Sequence, residues 1–462
     1  MKKTRKEKDV LGEIDVPTDA YWGINTQRAI ENFQISGLKF SHRFILSLAK
    51  VKKACVLSNM ESADLDEDLG NAVLQAINEM LDEKRFLDQF PIDVFQTGSG
   101  TQTNMNMNEV LANRANEILG HPKGMKSPVH PNDHVNKGQS SNDIIPTAMH
   151  LAALEAINAD LLPSIETLIQ SLERKIEQFE GIVKVGRTHL QDAVPIPLST
   201  EFEVYHRQFS EVSKALLSIL DELAVVPVGG TALGTGLNAP KGFAERVTKH
   251  LSDISGRPIK INPVKAEGIA SHSKLVSTSG ILRQLALSCI KMANDIRWMG
   301  SGPRAGLGEL LLPQNEPGSS IMPGKINPTQ AEALIQVSLQ AMGNDSTIAL
   351  AEGFGSMLDL NVTKPVMIVN LLHSIHILSN CIKSFVEHCL EGLKANTNHI
   401  ELQLERNLMI VTRLTPIIGY DKASEVAKAA HSSGKTIRET LLDMKIEIDG
   451  NLDELLDPKR MV

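Results

Sequence analysis

From Leu151 to Phe179 apolar side chains return every three or four residues, through Leu154, Ile157, Leu161, Ile165, Leu168, Leu172 and Ile176. This is one face of a helix carried over roughly eight turns at 3.6 residues each. A helix that long and that apolar along one side needs equally long neighbours, so it reads as a strut of a bundle. Similar patterns run from about Thr200 to Val225, from about Ser273 to Gly300 and from about Val366 to Lys394. Only 4% of the residues are aromatic, whereas Ala, Leu, Ile and Met are plentiful; β-rich cores lean on aromatic and β-branched residues, so this balance favours helix. The expected fold is all-α, with a long central helical bundle of helices about 25 to 30 residues each.

A length of 462 residues suggests about three domains. The chain reads as loop between His121 and Gly138, and beyond Asn396 the segments shorten and charge rises. The expected division is an N-terminal domain over 1–138, a central long-helix domain over 139–395 and a small C-terminal helical domain over 396–462. Lys and Arg number 47 against 55 Asp and Glu, a net charge of −8, with no long basic run beyond the first eight residues, so nucleic acid is not expected as a partner. An anionic substrate must therefore find positive charge locally.

The four cysteines, Cys55, Cys289, Cys381 and Cys389, have neither CxxC nor Cys/His metal spacing and read as buried thiols of a reducing compartment. The charged N-terminus lacks the apolar region of a signal peptide. No window reads as approaching the ~18 apolar residues of a membrane span. A cytoplasmic protein without a membrane partner is expected.

Polar residues gather in four clusters, at 98–104, 139–143, 186–192 and 318–327, each expected to stand just before a helix. Hydroxyl and amide side chains there can simply cap helices. Helix N-termini collected at one level would also make a donor-rich, positive pocket suited to a small dianion. The fourth cluster, Gly318-Ser319-Ser320-Ile321-Met322-Pro323-Gly324-Lys325-Ile326-Asn327-Pro328, holds too many Gly and Pro residues for a helix or strand. Asn327 as N-cap, Pro328 at the first position and Gln330 at the third would form a capping box, with Glu332 about one turn in.

Gly229–Gly236 is glycine-rich but lacks the GxGxxG spacing and a preceding strand, and Gly434-Lys435-Thr436 lacks the first glycine of a phosphate loop. Neither reads as a nucleotide site. His130 and His134 are four apart with Pro131 between them, which speaks against a shared helix face, so no metal is expected. His189, beside Arg187 and Thr188, has the chemistry of an acid–base group, although a lone histidine is ordinarily a satisfied structural one.

The fourth cluster resembles the signature loop of the fumarase/aspartase superfamily, Gly-Ser-Ser-x-Met-Pro-x-Lys-x-Asn followed by a Glu, and with Pro328–Ala333 after it the match is nearest to the class II fumarate hydratases. The resemblance extends through Gly12–Pro17, Thr97–Thr101, Met105–Arg114, His130–Asp133, Ser140–Asp143, Gly186–Asp192 and Ile418–Ala423. It implies a three-domain α protein that assembles as a homotetramer, each active site built by segments from three subunits. The implied reaction is the reversible hydration of fumarate to L-malate, without a cofactor.

The resemblance further implies Ser319 as the base, His189 paired with Glu332 for the proton at the hydroxyl, and Lys325 with Asn327 stabilising an aci-carboxylate. Ser99, Gly100, Thr101, Ser140, Ser141, Asn142, Thr188, Ser320 and Ile326 complete the implied substrate site. His130, Pro131, Asn132 and Asp133 match the family's second, non-catalytic dicarboxylate site. Ser127 and Pro128 stand where basic residues are frequent before that second site, Gly138 replaces a frequent Ser, and Ser356-Met357-Leu358-Asp359 replaces an aromatic–acid pair. An ammonia-lyase acting on aspartate and a non-enzymatic scaffold are the competing readings. His189 and Pro328–Ala333 speak against the first, and the retained Ser319, Lys325 and His189 against the second.

Overall fold

The computed structural model describes residues 3–462. Helices dominate it, and the short strands among the described residues pair into five two-stranded sheets. The chain forms two units. One takes residues up to Pro163 with Lys214–Gln284 and Gln340–Ile377; the other takes Ser164–Ser213, Leu285–Leu339 and Leu378–Val462.

The first unit begins with an antiparallel hairpin, Thr4–Asp9 against Gly12–Pro17. Arg5 anchors it, its guanidinium donating to the carbonyls of Pro17, Ala20 and Trp22 at 2.7–2.8 Å. The polar run after Trp22 is the helix Ile24–Asn32. Its free N-terminal N–H groups are met by the buried carboxylate of Glu109, which accepts from Gly23, Asn25 and Thr26 N–H and from the Thr26 hydroxyl. Helices His42–Glu61 and Glu67–Asp82 part where the apolar spacing breaks, with Ala63 left-handed at φ 54° and Asp66 capping the second through the N–H groups of Asp68 and Leu69.

The eight-turn stripe comprises Ser141–Ala156, a π-turn over Ile157–Leu161, and Leu162–Gln178. Pro163 has no N–H to continue the ladder, and the Leu162 N–H reaches five residues back to the Ile157 carbonyl. The other long patterns are helices Leu198–Leu223, Ser273–Met299, Thr329–Gly355 and Lys364–Phe385. Contrary to the expectation that no window is apolar enough, Lys364–Leu390 passes by length and composition for a membrane span; 56% of its apolar window is buried inside the protein, as in a core helix.

In the second unit, residues 186–192 do not precede a helix directly. They belong to an antiparallel hairpin, Val183–Thr188 against Gln191–Pro197, with an irregularity between Val185 and Arg187. The C-terminal segments gather around Ile410, Val411, Leu414, Ala423, Val426, Ala430, Ile437, Leu441 and Leu456. Gly434-Lys435-Thr436 is the joint between two of these helices: Gly434 ends Tyr420–Ser433 at φ 71°, and Thr436 starts Ile437–Asp443 with a reciprocal capping box to Glu439.

Candidate active site

In the first unit, Gly98 and Gly100 shape the approach to helix Thr101–Ile118. A Cβ on Gly98 would lie 1.6 Å from the Val362 carbonyl oxygen, so the backbones touch there. Gly100 turns left-handed at φ 77° to start the helix. The turn brings the buried Ser99 hydroxyl within 2.7 Å of Thr101 Oγ1, which is itself 2.7 Å from the buried hydroxyl of Ser141. Three hydroxyls thus form a chain at the starts of two helices.

Ser140 caps the second of these helices. Its hydroxyl accepts from Asn142 N–H, and Asp143 returns the bond by accepting Ser140 N–H at 3.0 Å. Pro146 lies inside this helix. The Asn142 side chain donates to the Ala232 carbonyl.

Under the cluster lie two buried ionisable groups that sequence reasoning did not single out. Burial raises the Asp143 carboxyl to about 6, against the opposing pull of three backbone N–H groups. Burial also lowers the Lys52 ammonium to about 7, where Asn136 and Gln139 accept its hydrogen bonds.

In the second unit, Thr188 and His189 stand exposed at the hairpin tip. His189 and Leu190 both sit at positive φ, 56° and 59°. These are the left-handed positions that two-residue hairpin turns usually give to Asn-Gly, and non-glycine residues there cost of order 1–3 kcal/mol each. Arg187 anchors the strand below. It donates to Glu309 Oε1 at 2.6 Å and to Gln403 Oε1 at 3.2 Å. The buried Lys184 ammonium lies 3.5 Å from the other oxygen of Glu309, an ionic contact too long to count as a hydrogen bond. The alternation of Val183, Val185, Val194 and Ile196 was the available signal for strands here.

The Gly318–Pro328 loop closes on itself through Gly318 N–H to the Lys325 carbonyl and Asn327 Nδ2 to the Gly318 carbonyl. Ser319 Oγ accepts from the N–H groups of Ile321 and Met322 at 3.2 and 3.0 Å. Lys325 Nζ sits on Asn327 Oδ1 at 2.6 Å rather than on Ser319. The capping box expected at Asn327 does not form. Its amide is used within the loop, Gln330 accepts from Ser384, and the helix runs from Thr329. Glu332 lies in its first turn; it and His189 are both exposed and make no ion pair with each other within the chain. Ser320 and Ile326 lie on the same loop.

His130 starts a π-turn, Pro131–Val135, by accepting the N–H groups of Asn132 and Asp133 on Nδ1. His130, Pro131 and Asn132 line a cavity of about 900 Å³ with Asp9, Arg28 and Lys126. Lys126 and Arg28 bring positive charge to this cavity although Ser127 and Pro128 carry none, and Arg28 is held by Asp9. Among the described residues no group of three or more His, Cys, Asp or Glu is placed to hold a metal ion.

The family described as Lyase matches residues 12–343, and that described as Fumarase C C-terminus matches residues 410–462. Fumarate hydratase class II of Nitrosomonas europaea is 48% identical over 461 residues, covering 100% of this chain and 99% of that one. The protein of the same name from Thermosynechococcus vestitus is 48% identical over 96% of this chain and 94% of its own. The crystal structure of recombinant class II fumarase from Schistosoma mansoni superposes with a TM-score of 0.96 at 38% identity, covering 99% of each chain.

Proposed function

The chain belongs to the class II fumarate hydratase family, and we propose that it hydrates fumarate reversibly to L-malate by acid–base catalysis. In this reading it works in the cytoplasm as a homotetramer of three-domain subunits, with active sites drawn from three of them. Net oxidation state does not change in a hydration, so the chemistry is a matter of moving protons and holding charge.

In the dehydration direction, Ser319 takes the C3 proton of malate. The electron pair left behind moves into the adjacent carboxylate, which becomes a doubly charged aci-carboxylate. His189, working with Glu332, gives a proton to the C2 hydroxyl; the C–O bond breaks, water leaves and the double bond forms. An ordinary hydroxyl is too weak a base, and the observation that carries the reading is the Ser319 oxygen facing two backbone N–H groups, which favour its alkoxide. Lys325 and Asn327, already joined, stabilise the aci-carboxylate. The substrate's carboxylates are held by Ser99, Gly100, Thr101, Ser140, Ser141, Asn142, Thr188, Ser320 and Ile326. The His130–Asp133 turn holds a second dicarboxylate without chemistry, with Lys126 and Arg28 as its cations.

The test is loss of the ultraviolet absorbance of fumarate on adding purified protein, with L-aspartate run in parallel. Rapid loss with no response to aspartate supports the hydratase. Fumarate released from aspartate would instead make the chain an ammonia-lyase.

A further inference from the structure

The glycine-rich stretch Gly229–Gly236 has no part in the chemistry above. A two-residue strand, Val225–Val226, does precede it, but the chain then turns repeatedly and no helix starts until Phe243, so it lacks the form of a phosphate cradle. Its shape is nonetheless tightly specified. Gly229 is left-handed at φ 80°, and a Cβ there would lie 2.7 Å from the Ala244 Cβ; Gly234 is left-handed at φ 92°, with Ala266 N 2.3 Å from its would-be Cβ. Between them Thr231 is held at φ 55°. A β-branched residue in the left-handed region is strained and persists only where its surroundings enforce it.

Asp143 supplies the enforcement. One oxygen of its buried carboxylate accepts the N–H groups of Gly229 and Thr231 at 2.9 and 3.0 Å, and the other accepts Ser140 N–H. The Asn142 amide adds a second tie to the loop at the Ala232 carbonyl. The Thr231 hydroxyl, buried beside this junction, has no hydrogen-bond partner of its own.

We propose that Asp143 is a positioning residue, clamping the Gly229–Gly236 loop onto Ser140–Asn142 so that these side chains are preset for the substrate's carboxylate. The inference rests on the assignment of Ser140, Ser141 and Asn142 to fumarate binding. A carboxylate can accept on both oxygens at once; an asparagine accepts on one and presents an N–H₂ to donors on the other. Asp143→Asn therefore releases one side of the clamp while leaving Ser140, Ser141 and Asn142 in the chain.

The experiment is steady-state fumarate hydration by the full-length protein and its variants, each checked for folding by circular dichroism and size-exclusion elution. Asp143→Asn is expected to raise KM at least ~10-fold with kcat reduced by less than ~3-fold, the pattern of lost substrate positioning. Thr231→Gly keeps its N–H on the carboxylate and relieves the left-handed strain, so its KM is expected within ~2-fold of the parent value. Gly229→Ala leaves Asp143 untouched but forces the loop away from Ala244; it is expected to repeat the KM-weighted loss, and it decides the matter alone if Asp143→Asn does not fold. A parent-like KM in a folded Asp143→Asn or Gly229→Ala protein, or an equal fall in kcat and kcat/KM, overturns the clamp. A parent protein inert toward fumarate overturns the functional reading itself, and the clamp as a substrate device with it.

Discussion

Thr101 Oγ1 and Ser141 Oγ lie 2.7 Å apart although forty residues separate them in the chain. Each is the first residue of its helix, so the contact sets the starts of Thr101–Ile118 and Ser141–Ala156 side by side. Two helix N-termini and a chain of hydroxyls thus meet at one place, an arrangement whose partial positive charge suits an anion. Thr101 occupies the middle of that chain.

Thr101→Val keeps the shape of the side chain and removes the central hydroxyl. The KM for fumarate is expected to rise about 10-fold, the equivalent of one hydrogen bond at roughly 1.4 kcal/mol. Steady-state kinetics on the folded variant checks this, and an unchanged KM would make the hydroxyl chain purely structural.

Ser319→Ala and His189→Asn each remove a group assigned to proton transfer. Turnover is expected to fall at least ~100-fold in both. Near-normal kcat in either purified variant removes that residue from the mechanism.

Glu309 is fully buried between Arg187 and Lys184. Glu309→Gln leaves Arg187 facing a neutral amide while Lys184 keeps Glu201 at 3.4 Å, and breaking a buried pair in this way costs roughly 3 kcal/mol. A lower denaturant midpoint with an unchanged slope is the expected result. Because Arg187 supports the strand that leads into Thr188 and His189, turnover is expected to fall with it.

Burial pulls the Lys364 ammonium down to about 7, with the nearby Glu352 carboxylate opposing the shift. Its ordinary value is 10.5, so between these limits the unfolded chain binds a proton that the folded protein does not, and stability rises with pH across that range. Urea midpoints measured at pH 7 and at pH 9.5 are expected to show the rise, and Lys364→Met to flatten it. An equal slope in parent and variant would assign the effect to other groups, Lys52 first, since burial lowers it in the same sense.

Much of the fold was legible because a helix writes its period locally. The stripe from Leu151 marked a strut, which a π-turn ahead of Pro163 interrupts. The family signature in Gly318–Pro328 and Gly186–Asp192 was legible for the same reason: the residues are contiguous. The His189 segment, expected to stand just before a helix, is a hairpin that runs on to the helix from Leu198. Its strands are short, Gly186 and two prolines interrupt their alternation, and two non-glycine residues hold the tip where a turn would ordinarily announce itself with Asn-Gly.

Helical class and family were readable from the chain alone, and the reactive side chains could be proposed from it, because each of these depends on neighbours within a few turns. What the polar side chains rest on emerges once the chain is folded. Glu109 caps a helix more than eighty residues upstream, Asp143 fixes a loop at Gly229 and Thr231, and Asn327 gives up its cap to hold Gly318. Such partners are chosen because a buried polar group must find its hydrogen bonds wherever the folded chain brings them, a condition with no period in the sequence.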